Sequence, residues 1–181
     1  CKYYGLEKVS NYWEQVLIVN NWQKERIASL IVEKLFGTVT NKKIALFGFS
    51  FKANTNDTRE SPSISIAKYL LENGAKLMIT DPQVSSFQIE KELDLKESDV
   101  CSNMEGSWAF SKDFKECVKE ADAIVFLTDW EEYKELDFKE FSELMRKPSW
   151  VFDTRKTISR ESLKDSGMNF WQIGMGISNP Q

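Results

Sequence analysis

Two cationic positions follow apolar runs. Lys52 comes after Ile44-Ala45-Leu46-Phe47-Gly48-Phe49, and Arg155-Lys156 come after Trp150-Val151-Phe152-Asp153. A cation just beyond a buried strand is placed to hold an anion, a lysine as a point charge and an arginine as a paired donor. The plainer reading of each is a solvated loop residue, with the Arg155 pair facing nearby acids. Gly48 is one glycine where a dinucleotide turn wants three, so a backbone cradle for a pyrophosphate is not encoded. The loop Asn54-Thr55-Asn56-Asp57-Thr58-Arg59-Glu60-Ser61 is dense in hydrogen-bonding side chains, which also suits turns and caps. Asp81-Pro82 and Asp129 end apolar runs as well and read as turns.

Other chemistries are excluded by composition. The 181 residues contain no histidine, which removes imidazole triads, histidine metal sites and histidine acid–base work. No metal site is expected. Cys1, Cys101 and Cys117 are widely spaced, without C-x-x-C, which reads as a reduced, cytoplasmic setting. Cys117 lies beside Val118 in a helical pattern and reads as core, Cys1 has no flanking motif, and Cys101 lies in an irregular stretch. Lys+Arg 24 against Asp+Glu 28, with no basic cluster, predicts neither nucleic-acid nor polybasic membrane binding. No apolar run has the length of a membrane span. Six Trp and twelve Phe argue for a packed chain.

The elements that must position these residues follow from pattern. Val9 to Phe36 carries one long helical period with Val9, Trp13, Val16, Leu17, Ile27, Leu30, Ile31 and Leu35 at spacings of three and four. Such a rod either packs on its own domain or bridges domains or subunits. The run 44–49 reads as a buried parallel strand. Ser61-Pro62 reads as an N-cap with proline in the first turn, and Gly74 as the glycine after the helix end. A strand over 75–80 completes a βαβ unit. Residues 83–111 read as an irregular excursion. Then follow a short helix over 114–120, a strand over 123–128, a helix over 137–145 opening on an acidic cap, and a strand over 150–153. A short helix near 159–165 and an edge strand over 170–173 close the chain. The expected fold is α/β, an open doubly wound, mainly parallel sheet preceded by a long α-helix. The division is residues 1–36 for the helix and 37–181 for the α/β domain, whose ligand mouth lies at the carboxyl ends of the strands. On the residues alone, the chain is a nucleotide-type domain without a complete catalytic apparatus.

The segment Phe51-Lys52-Ala53-Asn54-Thr55-Asn56-Asp57-Thr58-Arg59-Glu60-Ser61-Pro62-Ser63 resembles the F-K-x-x-T-x-D-x-R-E-S/A-x-S signature of the UDP-glucose/GDP-mannose dehydrogenase superfamily, where it marks the C-terminal UDP-binding domain. Asn11-Tyr12-Trp13-Glu14-Gln15-Val16 with Asn20, Gln23 and Arg26 is similar to the family's long central helix. Thr38-Val39-Thr40-Asn41-Lys42-Lys43-Ile44-Ala45 is similar to its eukaryotic, UDP-glucose-oxidising branch. Thr128-Asp129-Trp130 and Phe152-Asp153-Thr154-Arg155 match later T-D/E-W and F-D-x-R motifs.

The resemblance implies the following expectations. The family oxidises the C6 hydroxyl of UDP-glucose to the carboxylate of UDP-glucuronate, using two NAD and a thioester on a cysteine. That cysteine sits in a G-G-x-C-F/L-x-K-D motif, which these residues lack, so the chain is expected to be a piece lacking the nucleophile and the NAD-binding domain. It is expected to be inactive alone. Phe51, Lys52 and Arg155 match residues that hold the sugar nucleotide, and Arg59 matches one that touches NAD carried by the other domain. Thr154 stands where glycine is common. The central helix implies a homo-oligomer through residues 9–36. A UDP-N-acetylmannosamine or GDP-mannose dehydrogenase, or a non-catalytic nucleotide-binding module, are the alternative readings.

Overall fold

A computed structural model describes residues 1–97 and 106–175. Cys101 and part of the expected excursion lie outside the described residues.

Helix α1 runs Glu7–Lys34, 28 residues without Gly or Pro, about 42 Å at 1.5 Å per residue. It ends where Phe36 and Gly37 both take left-handed φ and the Gly37 N–H returns to the Val32 carbonyl at 2.9 Å. Its apolar packing is confined to the last part, where Ile27, Ala28 and Ile31 are buried; near its start Ser10 is the one buried residue. The stripe Val9, Trp13 and Leu17 continues that same face but is exposed, Leu17 at 64%.

The sheet follows: β1 Lys43–Phe47, β2 Lys76–Thr80, β3 Ser107–Phe110, β4 Ala123–Phe126, β5 Trp150–Asp153 and β6 Asn169–Gln172. Their order is β3-β2-β1-β4-β5-β6 and every pairing is parallel. The order reverses between β1 and β4, which is where such folds seat ligands. β1 reads as a continuous apolar run because both of its faces are covered. Ile44 and Leu46 face the layer of α1, α2 (Pro62–Glu72) and α3 (Ser86–Leu93). Ala45 and Phe47 face α4 (Phe114–Val118) and α5 (Phe138–Leu144). On that second side Phe47 packs between Phe126 (5.2 Å between centroids) and Tyr133 (5.3 Å). Burial of the Tyr133 phenol, beside Asp81 and Glu132, pushes its pKa far up.

The doubly wound architecture agrees with expectation, and the helix bounds differ by two residues at each end. α2 starts at Pro62 with the Ser61 hydroxyl accepting the Ser63 N–H, and Gly74 follows the Asn73 cap. The excursion is the correction. It holds α3, opened by a capping box in which Ser85 and Gln88 satisfy each other's backbone, and the edge strand β3. The short helix expected near 159–165 is a single 3-10 turn, Glu161–Leu163.

Candidate functional site

Three strand exits and the middle of α1 enclose a cleft of about 390 Å³. Phe51 follows β1, Leu127 follows β4, and Thr154 and Arg155 follow β5. Asn20 and Lys24 reach in from α1. These two polar residues interrupt the apolar stripe between Leu17 and Ile27, because there the helix faces the cleft and not a core. That interruption is the sequence signal by which they could have been found as cleft residues.

Each exit has a physical reason for its course. Gly48 has φ +94° after β1, and a Cβ there would come within 2.5 Å of Thr128 Cβ and 2.8 Å of Thr128 N. The β1 and β4 exits therefore touch backbone to backbone. Thr128 uses its hydroxyl to donate to the Ser50 carbonyl at 2.8 Å. Trp130, from the same T-D-W motif, donates its indole N–H to Asp81 at 3.3 Å. Asp81 was expected to serve a turn, and it does accept from the Gln83 and Val84 amides, both at 2.9 Å. It also accepts from Phe49 N at 2.7 Å and Ser50 N at 3.0 Å, a pairing across some thirty residues that no local pattern signals. Asp129 is exposed, as a plain turn residue would be.

At the β5 exit buried Asp153 plays a similar part. It accepts from Arg155 N at 3.0 Å, Ile158 N at 2.9 Å and the Gln172 amide at 2.9 Å. Arg155 then aims its guanidinium back across the sheet. Nε donates to the Leu127 carbonyl at 2.9 Å and Nη2 to the Phe51 carbonyl at 3.3 Å. The Thr154 hydroxyl, where glycine is common, donates to the Phe126 carbonyl at 2.8 Å, so the side chain is accommodated as a further tie. Arg155 has five donors and these bonds use two directions, leaving N–H groups for an anion in the cleft.

The structure therefore brings Phe51 and Arg155 together, and leaves Lys52 apart. Lys52, the next residue after Phe51, is exposed and is not part of the cleft wall. Arg59 also stands elsewhere. It is 87% exposed and makes a paired contact with Asp57, Nε at 2.9 Å and Nη2 at 2.7 Å. Those bonds hold the Asp57 carboxyl down at about 2, below its usual range. Thr58 fastens this loop to α3 through Glu92 at 2.7 Å.

A dinucleotide does not fit the usual seat. Gly48 stands alone there, and Asp81 at the β2 exit has its lone pairs occupied. Among the described residues no cluster of three or more His, Cys, Asp or Glu could hold a metal, and no helix is long and apolar enough to cross a membrane. Cys117 is buried and its thiol is pushed up to about 12 by burial, which makes it inert.

Residues 45–160 match the pattern of the UDP-glucose/GDP-mannose dehydrogenase family, UDP binding domain. Over 192 residues the chain is 37% identical to UDP-glucose 6-dehydrogenase 2 of Arabidopsis thaliana, covering 99% of this chain and 39% of that protein. It is 41% identical to UDP-glucose 6-dehydrogenase of Pongo abelii, with 99% and 37% covered. The chain thus spans about two fifths of the length of these relatives. Among solved structures it is similar to a UDP-glucose dehydrogenase from Pyrobaculum islandicum at 24% identity and TM-score 0.60, covering 87% of this chain and 30% of that one. A UDP-D-ManNAc dehydrogenase from Pyrococcus horikoshii aligns at 23% identity and TM-score 0.64, with 86% and 32% covered. At these identities the two structures establish the fold.

Proposed function

The chain belongs to the UDP-glucose/GDP-mannose dehydrogenase family, as its UDP-binding domain, and from that premise we propose that it is the nucleotide-binding part of a UDP-glucose 6-dehydrogenase. The observation that carries this is the cleft where Arg155, braced on the carbonyls of two other strand exits, faces Asn20 and Lys24 of α1. Arg155 supplies paired donors to the diphosphate or ribose. The half-exposed Phe51 ring offers an apolar face to the ligand, and Lys52 adds charge at the rim.

The reaction proposed for the whole enzyme is oxidation of UDP-glucose to UDP-glucuronate with NAD. In this chain the residues do not fit NAD at the sheet, so its own part is to bind and orient the sugar nucleotide. Arg59, outside the cleft on a tied loop, is the residue proposed to meet NAD carried elsewhere. No cysteine stands in the motif expected of the nucleophile, and the chain alone is expected to be inactive. The exposed stripe of Val9, Trp13 and Leu17 supports a homo-oligomer formed through α1. The buried free thiol of Cys117 accords with a reduced cytoplasm.

Calorimetric titration with UDP, UDP-glucose, GDP and NAD tests this reading. UDP and UDP-glucose are expected to bind, NAD not at all, and Arg155→Ala to weaken UDP by about tenfold or more, the loss of a charge-assisted pair. Lys52→Ala should weaken it less. Equal affinity for GDP, or unchanged UDP binding in Arg155→Ala, would contradict the proposal.

A further inference from the structure

We propose that Asp81 is the residue that positions the Phe51–Lys52 backbone for the nucleotide, and that the same bonds remove the β2 exit as a seat for a ribose. A carboxylate offers about four lone-pair sites. Asp81, 1% exposed, receives five N–H groups. Oδ1 accepts from Gln83 and Val84, and Oδ2 from Phe49, Ser50 and the Trp130 indole. In sheets of this order an acid at the end of the second strand takes ribose hydroxyls. Asp81 stands at that position, directly after Thr80, with every lone pair turned inward.

What the carboxylate holds is as informative as what it lacks. Phe49 and Ser50 immediately precede Phe51 and Lys52, so the peptide planes set by Oδ2 aim the next two residues. The other end of Ser50 is fixed as well, its carbonyl accepting from Thr128 Oγ1 at 2.8 Å and Ser61 Oγ at 3.4 Å. One buried charge thereby ties the exits of β1, β2 and β4, and Arg155 adds β5 through the Phe51 carbonyl. The acid that would recognise a dinucleotide instead shapes the edge of a cleft for a mononucleotide diphosphate. The functional half of the proposal rests on the UDP reading above.

Amide hydrogen exchange and UDP titration of the 181-residue chain, applied to Asp81→Asn, Trp130→Phe and Leu163→Ala, provide the test. In Asp81→Asn the Phe49 and Ser50 amides are expected to exchange about tenfold faster or more, with Val125 in β4 unchanged, and the UDP Kd to rise about tenfold. Trp130→Phe, which leaves four of the five donors, should move both readouts the same way by about two- to threefold. Leu163→Ala lowers stability at a core residue that does not line the cleft and should leave UDP affinity unaltered. Unchanged exchange at Ser50, or faster exchange with unchanged UDP affinity, would overturn the positioning role. If Asp81→Asn does not fold, an unmoved Ser50 amide in Trp130→Phe overturns it equally. Saturable NAD binding that shifts the Gln83 and Val84 amides would overturn the second half. A wild-type chain that binds no UDP refutes the nucleotide reading instead, and the exchange arm still decides what Asp81 holds.

Discussion

Gly48→Ala isolates the contact on which the cleft is built. Gly48 has φ +94°, beyond the small left-handed well open to other residues, and occupying it with a side chain costs about 1–3 kcal/mol. The added Cβ would also lie 2.5 Å from Thr128 Cβ, 2.6 Å from its Oγ1 and 2.8 Å from its backbone N. The strands on either side are buried on both faces and cannot part freely, so overpacking adds about 1–3 kcal/mol. The sum centres on about 4 kcal/mol, and a domain of this size loses about 2–4 °C per kcal/mol, so melting should fall by about 8–16 °C. Circular dichroism or calorimetry on both proteins at one concentration reads this directly. Thr128→Ala in the Gly48→Ala background removes only one of the three contacts, and also the bond to the Ser50 carbonyl, so it should recover less than half of the loss. A drop under about 3 °C, or full recovery in the double variant, would refute the account of backbone contact between the β1 and β4 exits.

Other expectations follow from local chemistry. Carboxyl-detected NMR titration should place Asp57 near 2, and Arg59→Ala should return it toward 3.8. Because this pKa is depressed in the fold, its stabilising contribution is present above the ordinary value and lost as pH falls from about 4 to about 2. Peptide mapping after alkylation at pH 8 should find Cys1 modified quickly and Cys117 protected until the chain unfolds, since its thiol is held up to about 12. Phe47→Ala should remove about 3–5 kcal/mol, seen as a melting drop of about 6–20 °C, because the ring is fully buried among other aromatics. Sedimentation should show concentration-dependent association that Trp13→Asp with Leu17→Asp abolishes, and a strictly monomeric wild type would remove α1 as an interface.

Strands covered on both faces announce themselves as unbroken apolar runs, which is why β1, β4 and β5 were legible from sequence, and Ser61-Pro62 marked α2 by cap chemistry alone. α3 and β3 were missed for physical reasons. α3 is eight residues in which the two buried apolar positions, Ile89 and Leu93, are diluted by charge and by an exposed Phe87, though Ser85 and Gln88 carried its start. β3 is four residues on a sheet edge, half-covered, and gets its order from β2. Arg155 was legible as a strand-end cation, but its direction depends on carbonyls 28 and 104 residues away. Lys52 was legible in the same way, but it is exposed and stands outside the cleft wall that Phe51 lines. The five donors on Asp81 come from three separate stretches of the chain, and no local pattern records such a gathering.

The manner in which α1 is fastened has a mechanical consequence. Its anchor is Ile27, Ala28 and Ile31, near the carboxyl end, and the stretch before it is an unbroken helix. From Glu7 to Arg26 this is an arm of about 30 Å at 1.5 Å per residue. A tilt of about 5° at the anchor swings its tip by about 2.6 Å over that arm, while Asn20 and Lys24, close to the pivot, move less than 1 Å. Small repacking at Ile27 is thereby geared into a large displacement at Tyr12 and Trp13, and a load on those aromatics is returned to the cleft as a fine adjustment.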